Sequence, residues 1–167
     1  MLIQFDAVLE NFNSNLWGHH LVVLSNVIKS LNLDKQKRVL CHLNNQMVIH
    51  SGLMPTGTGD YYILINKTIR TKLKINEGSI VSVKLEKDES EFGMEMPEEL
   101  SALLEQDELG NTFFQALTPG KKRTLIHIVL SKKQTDTRIK FALKMMEHLK
   151  LMEGKLDFKS LYESFKN

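Results

Sequence analysis

Cysteine, proline and long apolar runs are all scarce in this chain of 167 residues. Cys41 is the only cysteine, which excludes an internal disulfide and is typical of a reducing compartment. Three prolines and a charged fraction of 25% argue against a disordered chain. No stretch approaches the ~18 uncharged apolar residues of a membrane span, and the first residues, with Asp6 and Glu10, lack the pattern of a signal peptide. We therefore expect a soluble, cytoplasmic protein.

The charge is small in total but unevenly distributed. A net charge of +2 does not indicate a polyanionic partner for the whole chain. Residues 86–108, however, contain ten acids and one lysine, a net charge of −9. Residues 110–155 contain ten lysines or arginines and three acids, a net charge of +7. Because the two segments adjoin, they can neutralise each other.

The first ninety residues have the alternation and apolar content of β-strands. A hairpin turning at Asn44-Asn45 is predicted in "KRVLCHLNNQMVIHSGLM", and "PTGTGD" is predicted as a connecting turn. Ser25 and Asn66 are predicted to cap two short helices. The other predicted strands are "LIQFDAVLENF", "WGHHLVVLS", "YYILIN" and "SIVSVKLEK". The pattern predicts a small closed or split β-barrel of about six strands with short helical inserts, over residues 1–95.

After Asp88 the apolar spacing becomes helical. Proline and acids open "MPEELSALLEQD", and Thr135 or Asp136 is predicted to cap the long segment "TRIKFALKMMEHLKLME". The remaining helices are predicted in "NTFFQAL", "TPGKKRTLIHIVLSKK" and "DFKSLYESF". Residues 96–167 are therefore predicted to form an all-α helical domain, and the whole chain to be α+β.

No arrangement of residues has the spacing of a catalytic or metal site. Cys41 and His50 would share one face of the hairpin if Asn44 and Asn45 formed a two-residue turn, but no third group is placed to orient them. His19 and His20 are adjacent on a strand, so they point to opposite faces and cannot hold one ion together. We therefore predict no catalytic residues, no metal and no cofactor, and favour a binding protein over an enzyme.

The helical domain contains the stronger candidate site. Its sequence "PGKKR…SKK…TR" places cations around the ends of two predicted helices, where they can bind a phosphate, a carboxylate or an acidic peptide. The alternative is that these charges contact the acidic residues 86–108 or only water. The predicted anion-binding cluster consists of Lys121, Lys122, Arg123, Lys132, Lys133 and Arg138, with Arg138 as the best bidentate donor.

A second group of cations lies in the predicted helix that follows Asn66. Ile69 and Leu73 would face inward there, which leaves Lys67, Arg70, Lys72 and Lys74 exposed. These four cations could anchor the phosphates of a nucleic acid, although Asp60 and Glu77 flank them. The region 66–88 resembles the swapped-hairpin barrels of AbrB-like transcription factors, but we favour a barrel strand preceded by a solvated helix.

Two longer resemblances cover most of the chain. The segment "FFQALTPGKKRTLIHIVLSKKQTDTRIKFALKMMEHL" resembles the helical YdeI/OmpD-associated domain of bacteriocin-protection proteins. The N-terminal half, "FDAVLENF…W…NKTIRTKLKINEGSIVSVKLEKD…MPEELSALLEQD", resembles the small barrel known as domain of unknown function 1905. The sequence departs from the first family at His127-Ile128, where an aromatic residue and isoleucine are expected, and at Leu130, where alanine is usual.

The resemblance implies a bacterial protein linked to envelope stress or to tolerance of antimicrobial peptides, without an established catalytic activity. We predict a binding or regulatory protein whose helical cluster takes an unknown anionic ligand or protein partner. DNA binding through residues 66–88 is the alternative, and a small-molecule site or an enzyme at the mouth of the barrel is third. A swapped hairpin would make a homodimer and a closed barrel would allow a monomer, so both oligomeric states stay open.

Overall fold

The computed structural model describes residues 1–13, 18–35 and 37–167. Trp17, placed by the sequence analysis at the start of a strand, lies outside these residues. The chain forms two compact units, residues 1–89 and residues 90–167. The first unit contains the strands and two short helices, and the second contains five helices in its described residues. The α+β class is confirmed.

The described part of the N-terminal unit has eight strands: β1 Leu2–Val8, β2 Glu10–Asn11, β3 His19–Val23, β4 Arg38–Leu43, β5 Met47–Gly52, β6 Met54–Pro55, β7 Tyr61–Leu64 and β8 Ile80–Lys87. They form two antiparallel sheets of four strands, in the orders β1-β8-β4-β5 and β2-β3-β7-β6. Each sheet therefore ends in two edge strands, and the described residues do not form the closed version of the predicted barrel. The number of strands exceeds six because the two-residue strands β2 and β6 extend the second sheet.

Alternation along the central strands builds the core of this unit. Successive side chains of a strand point to opposite faces of the sheet, so a period of two places every second residue inside. The outward positions between them are half-buried and mostly polar. The fully buried positions of β4 and β8 are Val39, Cys41, Leu43, Val81, Val83 and Leu85.

The hairpin of β4 and β5 has a longer turn than predicted. Leu43 lies opposite Met47, so three residues and not two connect the strands. Asn44 and Asn45 both have left-handed backbone angles, with φ of 49° and 53°, as their small polar side chains allow. The Asn44 amide oxygen also accepts the Ser82 N–H at 2.8 Å, which ties the turn to β8. The extra residue changes which side chains share a face.

The two short helices of this unit are α1, Ser25–Leu31, and α2, Lys67–Leu73. The predicted cap of α2 is confirmed, because the Asn66 side chain accepts the Ile69 N–H at 2.9 Å. The predicted cap of α1 is wrong. Ser25 is the first helical residue, and its N–H donates at 2.8 Å to the carboxylate of Asp60, 35 positions along the chain.

The C-terminal unit consists of the helices α3 Glu98–Gln106, α4 Glu108–Gln115, α5 Pro119–Leu130, α6 Thr135–Leu151 and α7 Phe158–Phe165. Each helix contributes a fully buried side chain to one apolar core: Leu100, Phe114, Leu125, Met145 and Leu161. Burying apolar surface of this kind contributes about 25 cal/mol per Å² and is the main term that holds the helices together. Across the described residues, every helix is too short or too polar to span a lipid bilayer.

Local chemistry sets where these helices begin and end. The Thr118 hydroxyl accepts the Lys121 N–H, and the Asp157 carboxylate accepts the Lys159 N–H at 3.1 Å, so α5 and α7 have side-chain caps. The predicted cap of α6 is wrong, because Gln134 occupies that position and Thr135 and Asp136 lie in the first turn. Helix α5 ends at Leu130, and the lysines at 132 and 133 therefore lie beyond it.

Candidate anion-binding sites

The predicted cluster of six cations divides into two groups at opposite ends of α5. Lys121, Lys122 and Arg123 lie in its first turns, and Lys132 and Lys133 follow its last residue. Eleven residues separate Lys121 from Lys132, which corresponds to about 16 Å along a helix that rises 1.5 Å per residue. A single small anion cannot reach both groups, so the cluster is better treated as two surfaces.

The group at the start of α5 has the sign of charge that a helix start disfavours. The N-terminal end of a helix carries a partial positive charge, which acids stabilise and cations destabilise. The first turn of α5 contains no acid. Helices α3, α4 and α6 each have an acid there, at Glu98, Glu108 and Asp136. The cations of α5 therefore cost helix stability instead of adding to it.

The contacts of this first group are few. The Lys122 ammonium donates to the Gln115 side chain at 3.3 Å and lies 5.9 Å from the centre of the Phe92 ring. Lys121 is exposed, and Arg123 is half-buried. Within the described residues neither Lys121 nor Arg123 makes an ion pair. Their charges are thus available to a partner.

The group beyond α5 is more strongly tied to the unit itself. The Lys132 ammonium lies 4.3 Å from the centre of the Phe141 ring, a cation–π contact. The Arg138 Nε donates to the Lys132 carbonyl at 2.8 Å, and one terminal nitrogen of Arg138 lies 3.7 Å from a Glu99 carboxylate oxygen. Of this group, only Lys133 is exposed and makes no side-chain hydrogen bond, ion pair or ring contact in the described residues.

Arg138 lies in an acidic pocket. Its pocket has a volume of about 220 Å³ and is lined by three carboxylates, those of Glu95, Glu98 and Glu99, together with Met96, Pro97 and Leu130. The Glu99 side chain is 12% exposed, and its second oxygen is buried and has no hydrogen-bond partner among the described residues. A carboxylate this buried needs a cation nearby, so the first role of Arg138 is to neutralise Glu99.

In the part of the chain that the structure describes, the acidic segment 86–108 pairs with only one member of the predicted cluster. Arg138 pairs with Glu99, whereas Asp107 pairs at 2.6 Å with Lys150, which lies outside the cluster. Hydrogen bonds from Lys150 and from the Gly110 N–H lower the pKa of Asp107 below its ordinary value. In the described residues, the interpretation that the acids mask the cluster therefore holds for Arg138 and not for the other five cations.

The second group of predicted cations surrounds a different pocket. Lys67, Arg70 and Lys74 line a pocket of about 330 Å³ together with Thr71, Ile75 and Asn76. Lys72 is exposed and is not among its lining residues. Ile69 is half-buried and Leu73 is buried, which agrees with the predicted inward face of α2.

Cys41 and His50 do not share a face of the sheet, as they would have done with a two-residue turn. Cys41 lies opposite Ile49 and Leu40 lies opposite His50, so Cys41 and His50 point to opposite faces of the sheet. Burial raises the pKa of the Cys41 thiol to about 12, which keeps it protonated and unreactive. The described residues contain no group of histidine, cysteine and carboxylate side chains that could hold a metal ion.

Sequence reasoning missed the partners that histidines find across the strands. His42 lies 2.8 Å from Glu86, and His50 lies 2.8 Å from the fully buried carboxylate of Asp88. These pairs depend on the register of β4 with β5 and β8. Residue spacings within one strand do not give that register, so only a correct turn length would have predicted these pairs.

Another missed feature is a pocket of about 450 Å³ beside His20. The imidazole of His20 stacks on Phe12, with ring centres 3.6 Å apart, and lies 3.4 Å from the carboxylate of Glu10. The His20 Nδ1 lies 3.2 Å from the Gly18 carbonyl, which can only accept, so Nδ1 carries a proton. The pairing of Glu10 with His20 in the β2–β3 ladder builds this arrangement.

Two family models match the chain. The model described as "Domain of unknown function (DUF1905)" matches residues 5–85, and the model described as "Bacteriocin-protection, YdeI or OmpD-Associated" matches residues 93–151. The two matches fall within the two compact units of the structure. Comparisons with curated proteins and with solved structures give no significant match.

Proposed function

We propose that this chain, which belongs to two families in series, is a non-catalytic binding protein. The domain of unknown function 1905 covers residues 5–85, and the bacteriocin-protection (YdeI or OmpD-associated) domain covers residues 93–151. The partner of the chain is an acidic segment of another protein, held by the cations at the start of α5. Neither family description names a reaction, and the second names a protective role that binding can fulfil.

The observation that carries this proposal is the charge at the start of α5. Lys121, Lys122 and Arg123 lie where the helix dipole disfavours cations, and no acid of the first turn compensates them. Carboxylates of a bound partner would relieve that cost. They would also form charge-assisted hydrogen bonds, which are about twice as strong as neutral ones. Lys133 extends the cationic surface at the far end of α5, whereas Lys132 and Arg138 contribute mainly through their internal contacts.

The test measures binding of a labelled polyglutamate peptide to the full chain by fluorescence anisotropy. The variant K121Q/R123Q removes two charges that make no ion pair in the described residues. The control K140Q/K155Q removes two exposed lysines of the same unit and changes the net charge equally. We expect the first variant to weaken binding by about tenfold, the equivalent of 1.4 kcal/mol, and the control by less than about twofold.

Two outcomes would contradict the proposal. Equal losses in both variants would mean that net charge and not the start of α5 attracts the peptide. If the unmodified chain does not bind the peptide at low or near-physiological salt, the proposal of an acidic protein partner is wrong.

DNA binding is the competing function, and a labelled mixed-sequence duplex in the same assay addresses it. A protein that neutralises phosphates releases counterions, so its affinity falls linearly with the logarithm of the salt concentration. A steep slope that is unchanged in K121Q/R123Q would favour the cations of α2 as a DNA-binding surface over the start of α5.

A further inference from the structure

The cations of α2 occupy positions that converge on one side of the helix. Lys67, Arg70 and Lys74 are separated by three and four residues, the spacing that places side chains next to each other on a helix surface. All three line the pocket of about 330 Å³ described above. Lys72 is outside this spacing and outside the pocket. Of the four predicted cations in α2 and at its end, three therefore line the pocket and Lys72 does not.

The described residues that line the pocket include three cations and no acid. Its other lining residues, Thr71, Ile75 and Asn76, provide a hydroxyl, an apolar side chain and an amide. Glu77 follows directly in the chain but lines the separate pocket beside His20. Within the described residues, the side chains of the three cations make no ion pair. Three like charges around one cavity repel each other unless an anion occupies it.

Arg70 provides the second and independent observation. Its Nε atom is buried and has no hydrogen-bond partner among the described residues. A guanidinium is always charged in a protein, and a buried charged donor that stays unpaired is among the most unfavourable arrangements a fold contains. The C-terminal end of a helix does favour cations. That effect explains a solvated charge near the end of α2 but not a buried N–H without an acceptor.

Lys74 lines the cavity from a backbone position that is unfavourable for a lysine. It follows α2 with a left-handed backbone, φ 53°, at the position where helices usually have glycine. Its N–H bonds to the carbonyls of Arg70 and Thr71, so this conformation is part of the helix end. A lysine here is less stable than a glycine would be, and its side chain lines the cavity.

We propose that this pocket binds the phosphate group of a small phosphorylated molecule, with Arg70, Lys67 and Lys74 as its ligands. A phosphate monoester has oxygens enough to accept from the Arg70 guanidinium and from both ammonium groups, and its two negative charges offset most of the three positive ones. A concave pocket of this size suits a small ligand better than a duplex, which needs an open surface. The site lies in the N-terminal unit and is separate from the start of α5.

The experiment titrates the full chain with inorganic phosphate and with ribose 5-phosphate by isothermal titration calorimetry, at constant ionic strength. Tighter binding of the ester than of inorganic phosphate supports a phosphorylated molecule as the ligand, whereas equal or weaker binding of the ester overturns it in favour of free phosphate. We expect Lys74→Gly to weaken binding by about tenfold, the loss of one charge-assisted contact, while its melting temperature rises by a few degrees because the left-handed position prefers glycine. These opposite changes exclude misfolding as the cause.

Lys72→Gln is the matched control, because it removes one charge from the same helix without touching the pocket. It should change the phosphate affinity by less than about twofold, and K121Q/R123Q should leave the affinity unchanged, which separates this site from the proposed function. The proposal is overturned if Lys72→Gln weakens binding as much as Lys74→Gly. It is also overturned if neither phosphate compound binds. A DNA duplex that binds, and binds more weakly to Lys72→Gln, would overturn it as well, because α2 would then be an open nucleic-acid surface.

Discussion

Arg70 and Arg138 are both half-buried arginines beside a pocket, one in each unit, yet their surroundings are opposite. The pocket of Arg138 is lined by three carboxylates, and its guanidinium meets Glu99 and the Lys132 carbonyl. The pocket of Arg70 is lined by two further cations, and its Nε is buried without an acceptor in the described residues. Arg138 therefore neutralises an acid of its own unit, whereas Arg70 adds to a group of positive charges that no acid of the described residues neutralises.

The difference teaches that the position of a cation in the sequence is a weaker guide to binding than what its charge already contacts. A guanidinium that neutralises a buried carboxylate is needed by the fold, because removing it leaves a charge uncompensated. A guanidinium without a partner contributes little to the fold and is free to hold an anion. Mutation of the two arginines therefore separates the two roles directly.

The largest effect is expected from Arg138→Met, which keeps the length of the side chain and removes its charge. Glu99 would then be left nearly buried with no cation beside it, although its place in the first turn of α3 stabilises it in part. We expect the free energy of unfolding of the helical unit to fall by about 2 kcal/mol. Native-state hydrogen exchange measures this, because it reports the stability of each unit separately.

Arg70→Met is the matched variant in the N-terminal unit. Since the Nε of Arg70 has no partner among the described residues, its removal should cost nothing and could stabilise that unit by up to about 1 kcal/mol. Equal destabilisation by both variants would show that Arg70 has a structural role, and the comparison between the two arginines would fail.

Lys74 sharpens the same comparison with a smaller effect. Without any ligand, Lys74→Gly should stabilise the N-terminal unit by about 1 kcal/mol, because only glycine adopts a left-handed backbone without a steric cost. Lys133→Gly, at an exposed position outside any helix, is the control and should not stabilise the helical unit. Hydrogen exchange of the backbone amides of α2 provides the readout for Lys74→Gly, and that of the amides of α5 and α6 for the control; slower exchange in the control as well would refute this explanation.

Features that depend on residues close together in the sequence were predicted well. The five helices of the second unit follow from apolar spacing, and the cap of α2 follows from Asn66 at its start. Features that depend on contacts between residues far apart in the sequence were predicted poorly. Asp60 caps α1 across 35 positions, and one extra residue in the turn after Leu43 reverses the faces on which Cys41 and His50 lie.

The candidate sites follow the same division. Both groups of cations were found from composition alone, because lysine and arginine runs are visible in a sequence. Which of them meets a carboxylate depends on packing between segments: Glu99 reaches Arg138 from another helix, while the cavity of Arg70 forms between α2 and the turn that follows it. Apolar spacing and charge counts contain no information about such contacts. The two surfaces could therefore be located from the sequence but not ranked.

The smallest effect at neutral pH concerns His148, a buried histidine of the helical unit. Its Nε2 accepts the Asp157 N–H at 3.2 Å, which requires the neutral ring. Burial lowers the pKa of His148 below its ordinary value of 6.5, although the Asp157 carboxylate opposes this. A lowered pKa means that the unfolded chain binds the proton more readily, so the stability is full above pH 6.5 and is lost as the pH falls through the pKa of the folded state.

We therefore expect the free energy of unfolding of the helical unit to decrease below pH 6.5. His148→Gln should make this decrease smaller, because the glutamine amide oxygen can accept the same N–H but does not titrate. Urea denaturation followed by helical circular dichroism at several pH values measures the slope. His127→Gln, which changes an exposed histidine of α5, should leave the slope intact. If it removes the slope instead, the acid sensitivity arises at the surface near the cations of α5. The pH would then act on the proposed binding surface and not on the core of the unit.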